Sequence, residues 1–171
     1  MLQIYTGNGK GKTTASIGLA VRFAGTGENV LFCQFMKGSK TSELNSLKYI
    51  PNIEVIRNTQ DFGFYKSMTD FEKFKIKSMH NDNLDYIETS LKLENFKLVI
   101  LDEITYAYEY NLLDKSKLER IIDIYSNKVE IVITGRNPNE FFLNRADYIT
   151  NMEKIRHPFD KGVIARKGIE F

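Results

Sequence analysis

Nine residues near the N-terminus, Thr6-Gly7-Asn8-Gly9-Lys10-Gly11-Lys12-Thr13-Thr14, follow the apolar run Leu2 to Tyr5 and open a stretch rich in Ala, Ile, Leu and Val. A buried strand, a glycine-dense turn and a helix in immediate succession point to an α/β fold in which a helix N-terminus faces the carboxyl end of a strand. Gly11, Lys12 and Thr13 meet the last three fixed positions of the phosphate-loop pattern GxxxxGK[ST], while Thr6 stands at its first glycine. Gly7, Gly9 and Gly11 still let the chain curl so that successive backbone N–H groups point at one anion. A helix dipole contributes only about 0.3–1 kcal/mol at an exposed site, whereas micromolar nucleotide affinity needs roughly 8 kcal/mol. Loop amides, the Lys12 ammonium and a metal must therefore supply most of the binding. The competing reading is a glycine-rich turn without a ligand, and the strand–loop–helix context disfavours it.

The rest of the sequence repeats the alternation. Leu2 to Tyr5, Val30 to Met36, Ile53 to Ile56, Leu98 to Leu101 and Val129 to Thr134 are short runs of Val, Ile, Leu and Phe that read as strands buried on both faces. Helical patterns fall near 12–24, 42–49, 69–94, 103–111, 115–126 and 138–145. The third carries a stripe at Ile76, His80, Leu84, Ile87 and Leu91. This predicts a three-layer α/β protein, a mostly parallel central sheet with helices on both faces, as one domain over residues 1–171. Ligands of such sheets lie beyond the carboxyl ends of the strands.

Composition narrows the function. The 24 Lys and Arg against 22 Asp and Glu leave a net charge of +2, too balanced for a nucleic-acid binder working through bulk electrostatics. A single cysteine, Cys33, excludes an internal disulfide and a cysteine-only metal site. No apolar run is long enough for a signal peptide or a membrane span, so a cytoplasmic protein is expected.

Thr13 is expected to place its hydroxyl on Mg²⁺, and the strand ending Leu98-Val99-Ile100-Leu101-Asp102-Glu103 offers two carboxylates to complete the site. Which of the two touches the metal, directly or through water, stays open; both could instead cap the following helix. Three further segments join the loop: Gln34-Phe35-Met36-Lys37-Gly38, Thr134-Gly135-Arg136, and the tail His157-Pro158-Phe159-Asp160-Lys161-Gly162 continuing to Ala165-Arg166-Lys167-Gly168-Ile169-Glu170-Phe171. Taken in this order, the set resembles the P-loop ATP:corrinoid adenosyltransferases.

That resemblance implies a RecA-like P-loop fold in which cob(I)alamin, or another reduced corrinoid, attacks C5′ of ATP and intact triphosphate leaves. The nucleophile is a metal without a proton, so no general base is needed. Consistently, the sequence suggests no Ser-His-Asp or Cys-His arrangement. By position, Gly7, Asn8, Gly9, Lys10, Gly11, Lys12, Thr13 and Thr14 would hold the triphosphate, with Lys12, Thr13 and Glu103 as the catalytic set. Arg22 would reach the nucleotide, unless it is a surface arginine covering apolar area with its stem. Glu43 matches an acidic position near the nucleoside, with a helix-start carboxylate as the alternative. Arg136 would face the phosphates or form a structural salt bridge.

The corrinoid is expected against the loop from Asn58 to Thr69, where Phe62-Gly63-Phe64-Tyr65 sets aromatics beside a glycine. In the family such aromatics displace the lower axial ligand of cobalt and ease reduction to Co(I); the alternative is a cluster that packs the loop onto the body. Relatives commonly carry tryptophan where Phe64 stands. Many also have an N-terminal helix over the corrinoid, whereas this sequence opens at the first strand, so a partner subunit, a delivering protein or an ordered loop is expected to close the site. A reductase supplying Co(I) and a homodimer are further implications. His80 reads as a core histidine, His157 as a turn cap or a site residue, and Cys33 as a small buried hydrophobe. Of Tyr106, Tyr108 and Tyr110, at least one should be core and another could line the site. The rivals are a kinase or NTPase cleaving a phosphoanhydride, and an ATP-binding regulatory module without turnover.

Overall fold

The computed structural model describes residues 1–38 and 41–169; Glu170 and Phe171, the end of the tail motif, lie outside the described residues. Six strands form one sheet: β1 (Leu2–Thr6), β2 (Val30–Gln34), β3 (Ile53–Arg57), β4 (Leu98–Asp102), β5 (Glu130–Thr134) and β6 (Tyr148–Asn151), in the spatial order β3-β2-β4-β5-β1-β6. Every pairing is parallel, with Val30 opposite Leu98, Leu2 opposite Ile131 and Gln3 opposite Tyr148. All carboxyl ends therefore open on one edge.

Alternation along the strands divides the core into two layers. Leu31, Cys33, Val99, Leu101, Ile131 and Ile133 face α3 (Asp70–Lys92), α4 (Ile104–Glu109), α5 (Lys115–Tyr125) and α6 (Glu140–Leu143), packing on Leu84, Ile87, Ile104, Leu118 and Phe142. Val30, Phe32, Leu98, Ile100 and Val132 face the opposite way, onto Ala20 and Ala24 of α1 (Lys12–Ala24) and Leu47 of α2 (Glu43–Leu47). With apolar contacts on both faces, β2 and β4 are buried at every residue, which is why they read as unbroken apolar runs.

Local chemistry sets the ends of the elements. Thr69 caps α3 in a capping box with Glu72, whose carboxylate pKa the Thr69 backbone and side-chain hydrogen bonds hold down. Asp114 accepts from Lys117 N at the start of α5. His80 is fully buried on α3. Its Nδ1 lies 2.8 Å from Leu112 O and its Nε2 accepts from Met36 N at 3.3 Å, which makes it the core residue expected and also a tie between α3 and the loop after β2.

Three expectations need correction. The second strand stops at Gln34 rather than Met36, because Met36 takes φ 58° and turns the chain out of the sheet. The pattern at 138–145 condenses to the four residues of α6. The strand β6 had no counterpart in the sequence reading, because all four of its residues are exposed at the sheet edge and show no apolar run.

Candidate active site

At the open edge, the loop between β1 and α1 bends tightly against the chain that leaves β6. Gly9 N donates to Met152 O at 2.7 Å, and Lys154 N donates to Asn8 Oδ1 at 2.9 Å. Gly7 has φ 103°, and a Cβ there would lie 2.4 Å from Met152 O, so no side chain fits. Lys12 is nearly buried and donates from Nζ to Gly7 O and Gly9 O, both at 2.8 Å, which aims its ammonium into the concave side of the loop. Burial and then Arg136 lower its pKa, while Glu103 and Asp102 oppose them. Asn8 to Thr14, Glu103, Arg136, His157 and Ile169 enclose a polar cavity of about 250 Å³.

The strand order puts β5 between β1 and β4, and this interposed strand organises the acids. Thr134, at the end of β5, accepts from Glu103 N at 2.9 Å and donates to Asp102 Oδ1 at 2.7 Å. Thr13 Oγ1 donates to the same Oδ1 at 2.8 Å, and Lys37 Nζ lies 2.9 Å from Asp102 Oδ2. Asp102 is 0% exposed, and each of its oxygens has a partner. Burial alone would lower the Lys37 pKa, but facing Asp102, Glu103 and Glu43 it rises above the ordinary lysine value. The Glu103 carboxyl is pushed up by burial and then by Asp102, against Lys37, Lys12 and Arg136. Its backbone is left-handed at φ 60°, a conformation that costs a non-glycine residue roughly 1–2 kcal/mol and turns the chain into α4 at once after Asp102.

Gly135 positions Arg136: at φ 143°, a Cβ would stand 1.9 Å from Thr105 Oγ1, which instead donates to Arg136 O at 3.0 Å. Thr13 and the two acids form a hard-oxygen set suited to Mg²⁺. Among the described residues no group of three or more His, Cys, Asp or Glu gathers around a point. A cation here would therefore draw its other ligands from phosphates and water, as Mg²⁺ does in nucleotide sites.

Two further cavities adjoin the first. One, of about 530 Å³, runs from Thr13 and Thr14 past Lys37 to Glu43, Ser46, Leu47 and Ile50. Glu43 opens α2 and accepts from Gln34 Nε2 at 3.1 Å. The other, of about 450 Å³, is walled by Met36, Lys37, Phe64, Tyr65, Glu103, Tyr106 and Tyr110. Tyr65 and Tyr110 stack at 4.1 Å between ring centroids, fixing the loop after β3 onto α4. Phe64 is 88% exposed along this cavity, while Phe62 is partly buried and packs with Met68, Ile76 and Leu112. Lys37 borders both cavities, and Glu103 borders the aromatic and phosphate-loop ones.

The structure thus brings together Gly7 to Thr14, Asp102, Glu103, Arg136, Glu43 and Phe64. Arg22 is exposed in the last turn of α1, about 15 Å along the helix from Lys12, and lines none of these three cavities. His157 caps the turn that Pro158 opens, its Nδ1 accepting from Phe159 N at 3.1 Å, and it also lines the phosphate-loop cavity. Tyr108 is core, whereas Tyr106 and Tyr110 line the aromatic cavity. Cys33 is buried, and burial followed by Asp102 raises its pKa well above the thiol value. Sequence reasoning gave no role to Lys37, Thr134 or Met152. The first two sat within motifs it quoted, and Met152 follows the edge strand it missed.

Comparison with known proteins agrees with this geometry. The chain is 29% identical over 168 residues to the corrinoid adenosyltransferase CobA of Salmonella typhimurium, spanning 98% of this chain and 84% of that protein. It is 29% identical over 174 residues to a corrinoid adenosyltransferase of a Sinorhizobium species, spanning 100% and 80%. A solved structure of EssC (ATPases 2 and 3) from Geobacillus thermodenitrificans superposes with a TM-score of 0.53 at 15% identity, over 98% of this chain and 34% of that one, a likeness of fold alone. The family model for the ATP:corrinoid adenosyltransferases BtuR/CobO/CobP matches residues 1–171, and the chain belongs to that family.

Proposed function

We propose that residues 1–171 work as one domain that transfers the 5′-deoxyadenosyl group of ATP to the Co(I) of a reduced corrinoid. The observation that carries this reading is the meeting of a polar phosphate-loop cavity and an aromatic cavity at Glu103. An NTPase that passes phosphate to water needs only the first, and a wall of aromatic rings suits a broad ring system better than a small hydroxyl acceptor.

In this reading the loop amides, Lys12 and Arg136 grip the triphosphate, while the cavity at Glu43 takes the nucleoside. Thr13, Asp102 and Glu103 would hold Mg²⁺, which when bound neutralises charge on the phosphates. The cobalt lone pair forms the Co–C5′ bond as the C5′–O5′ bond breaks. The electron pair of that bond leaves on the triphosphate oxygen, and cobalt passes formally from Co(I) to Co(III). The charge gained by the leaving oxygen develops beside fixed donors, so the cradle stabilises the transition state more than bound ATP. Phe64, Tyr65, Tyr106 and Tyr110 would offer the corrin an aromatic wall. Phe64, projecting from the loop after β3, is placed to exclude a lower axial ligand. Co(I) must come from a reductase, and a cytoplasmic setting suits that supply.

Anaerobic incubation with MgATP and cob(I)alamin tests the reading. The expected result is the spectrum of a cobalt–carbon bond and one triphosphate released per corrinoid alkylated. Formation of ADP with no alkylated corrinoid would refute it.

A further inference from the structure

Lys37 is a charged member of the acid network to which the proposed reaction gives no task. Its Nζ lies 2.9 Å from Asp102 Oδ2 and 3.4 Å from Thr13 Oγ1. Thr13 gives its own hydrogen to Asp102 Oδ1, so the lone pairs of Oγ1 are free to face the ammonium. Asp102 Oδ1 is taken by Thr13 and Thr134, which leaves Oδ2 to Lys37. The oxygens that Thr13 and Asp102 could offer a cation are thus the ones the ammonium already uses.

We infer that the Lys37 ammonium is an internal stand-in for the divalent cation, seated between Thr13 and Asp102 and displaced from them when the metal arrives with the nucleotide. The inference rests on the proposed metal role of Thr13 and Asp102. An ammonium and a divalent ion cannot share this point, because both are cations competing for the same oxygens. The backbone of Lys37 cannot withdraw easily: its carbonyl accepts from Arg57 Nη2 at 3.3 Å, and a Cβ on the next residue, Gly38, would lie 2.2 Å from Gln60 O. The four-carbon stem can swing instead, and Lys37 borders a cavity on either side. Loading of the metal would then move a positive charge to the seam between the nucleotide and the aromatic wall. Lys37 acts here as a positioning residue.

Mn²⁺ binding to the full chain without nucleotide, followed by electron paramagnetic resonance, tests this directly. If Lys37 holds the site about nine-tenths of the time, removing it tightens apparent metal affinity about tenfold. Lys37→Met is expected to bind Mn²⁺ about tenfold more tightly than the wild type, and Asp102→Asn added to it should cancel the gain. Equal or weaker Mn²⁺ binding by Lys37→Met would overturn the inference. A second measurement needs no destabilising change. In wild-type protein carrying ¹³C-labelled lysine, with Lys37 assigned through Lys37→Arg, its Cε resonance should move when Mg²⁺ is added to the ATP-bound form. A resonance that stays in place would also overturn it. Should Mn²⁺ tighten ATP binding equally in the wild type and Lys37→Met, the stand-in role fails alone; should it leave ATP binding of the wild type unchanged, the metal role of Thr13 and Asp102 fails with it.

Discussion

His80 makes fold stability depend on pH in a way that can be worked out in advance. Its ring is fully buried between Phe35, Met36 and Leu112, and burial, only partly offset by the Leu112 hydrogen bond, lowers its pKa from 6.5 to about 4. The hydrogen bonds explain why the neutral ring is required. Nδ1–H donates to Leu112 O, so Nε2 must be the acceptor for Met36 N–H; a proton on Nε2 would set two donors against each other. Between pH 6.5 and 4 the unfolded chain binds this proton and the native one does not, so stability is full above pH 6.5 and falls as pH drops toward 4. That lowering corresponds to roughly 3 kcal/mol in total, of which about 2 kcal/mol is lost by pH 5. Carboxylates titrate nearby, so the assay is a difference: urea unfolding of the wild type and of His80→Gln at pH 7.5, 6 and 5. Glutamine offers one donor and one acceptor but no titration. The wild type should lose about 2 kcal/mol more than the variant between pH 7.5 and 5. Parallel pH curves would show that the ring is not held neutral and refute the reasoning.

Other perturbations separate binding from chemistry. Lys12→Ala removes an ammonium aimed into the cradle, and ATP affinity measured by calorimetry should fall on the order of 100-fold together with activity; near-wild-type turnover would contradict the cradle. Phe64→Ala should change stability by less than about 0.5 kcal/mol and spare ATP affinity, because the ring is 88% exposed, yet slow alkylation of corrinoids that carry a lower ligand. Phe62→Ala removes packing against Met68, Ile76 and Leu112, and in chemical unfolding it should cost about 1–3 kcal/mol. Equal stability of the two variants would argue against their different placement. Thr134→Val keeps the shape but leaves the Glu103 N–H without its acceptor, at about 1–3 kcal/mol by urea unfolding; steady-state kinetics should show kcat falling further than ATP affinity, and an unchanged kcat would remove Thr134 from the site.

How much could be read beforehand followed from how local each signal was. The glycine loop, the strand ending in Asp102-Glu103 and the stripe on α3 are patterns written in consecutive or helically spaced residues, and all three appear where expected. The edge strand β6 carries Tyr148, Ile149, Thr150 and Asn151, exposed throughout, so burial left no mark on its sequence. With it went the contact of Met152 with Gly7 and Gly9, which joins residues more than 140 apart in the chain. Lys37 and Thr134 were visible as motif letters, but their tasks arise from strand order. Only when β5 lies between β1 and β4 does Thr134 stand beside both Asp102 and Glu103. Arg22 shows the reverse limit. The sequence puts it on the helix behind the loop, and that helix carries it to the end far from Lys12.

Charge at the open edge determines what the site can hold. Lys10, Lys12, Lys37, Lys66 and Arg136 line the joined cavities against the carboxylates of Glu43 and Glu103, while Asp102 is buried beneath them and paired with Lys37. Cations thus outnumber carboxylates at this edge, which draws in a polyphosphate, although salt screens attraction between charges that face water. Close-range affinity adds backbone N–H groups fixed by the glycine loop and a divalent cation that travels with the nucleotide. A cradle of this kind suits a triphosphate that leaves in one piece, since its donors run along the phosphates and no carboxylate must act as a base on an attacking water. The bond that breaks is then decided by what stands at the other side of Glu103. There the chain places Phe64, Tyr65, Tyr106 and Tyr110, surfaces that favour a flat apolar macrocycle over water. Opening that wall to solvent by removing Phe64 and Tyr106 together should therefore slow adenosyl transfer while leaving the affinity for MgATP within about twofold, a split that a shared binding defect cannot produce.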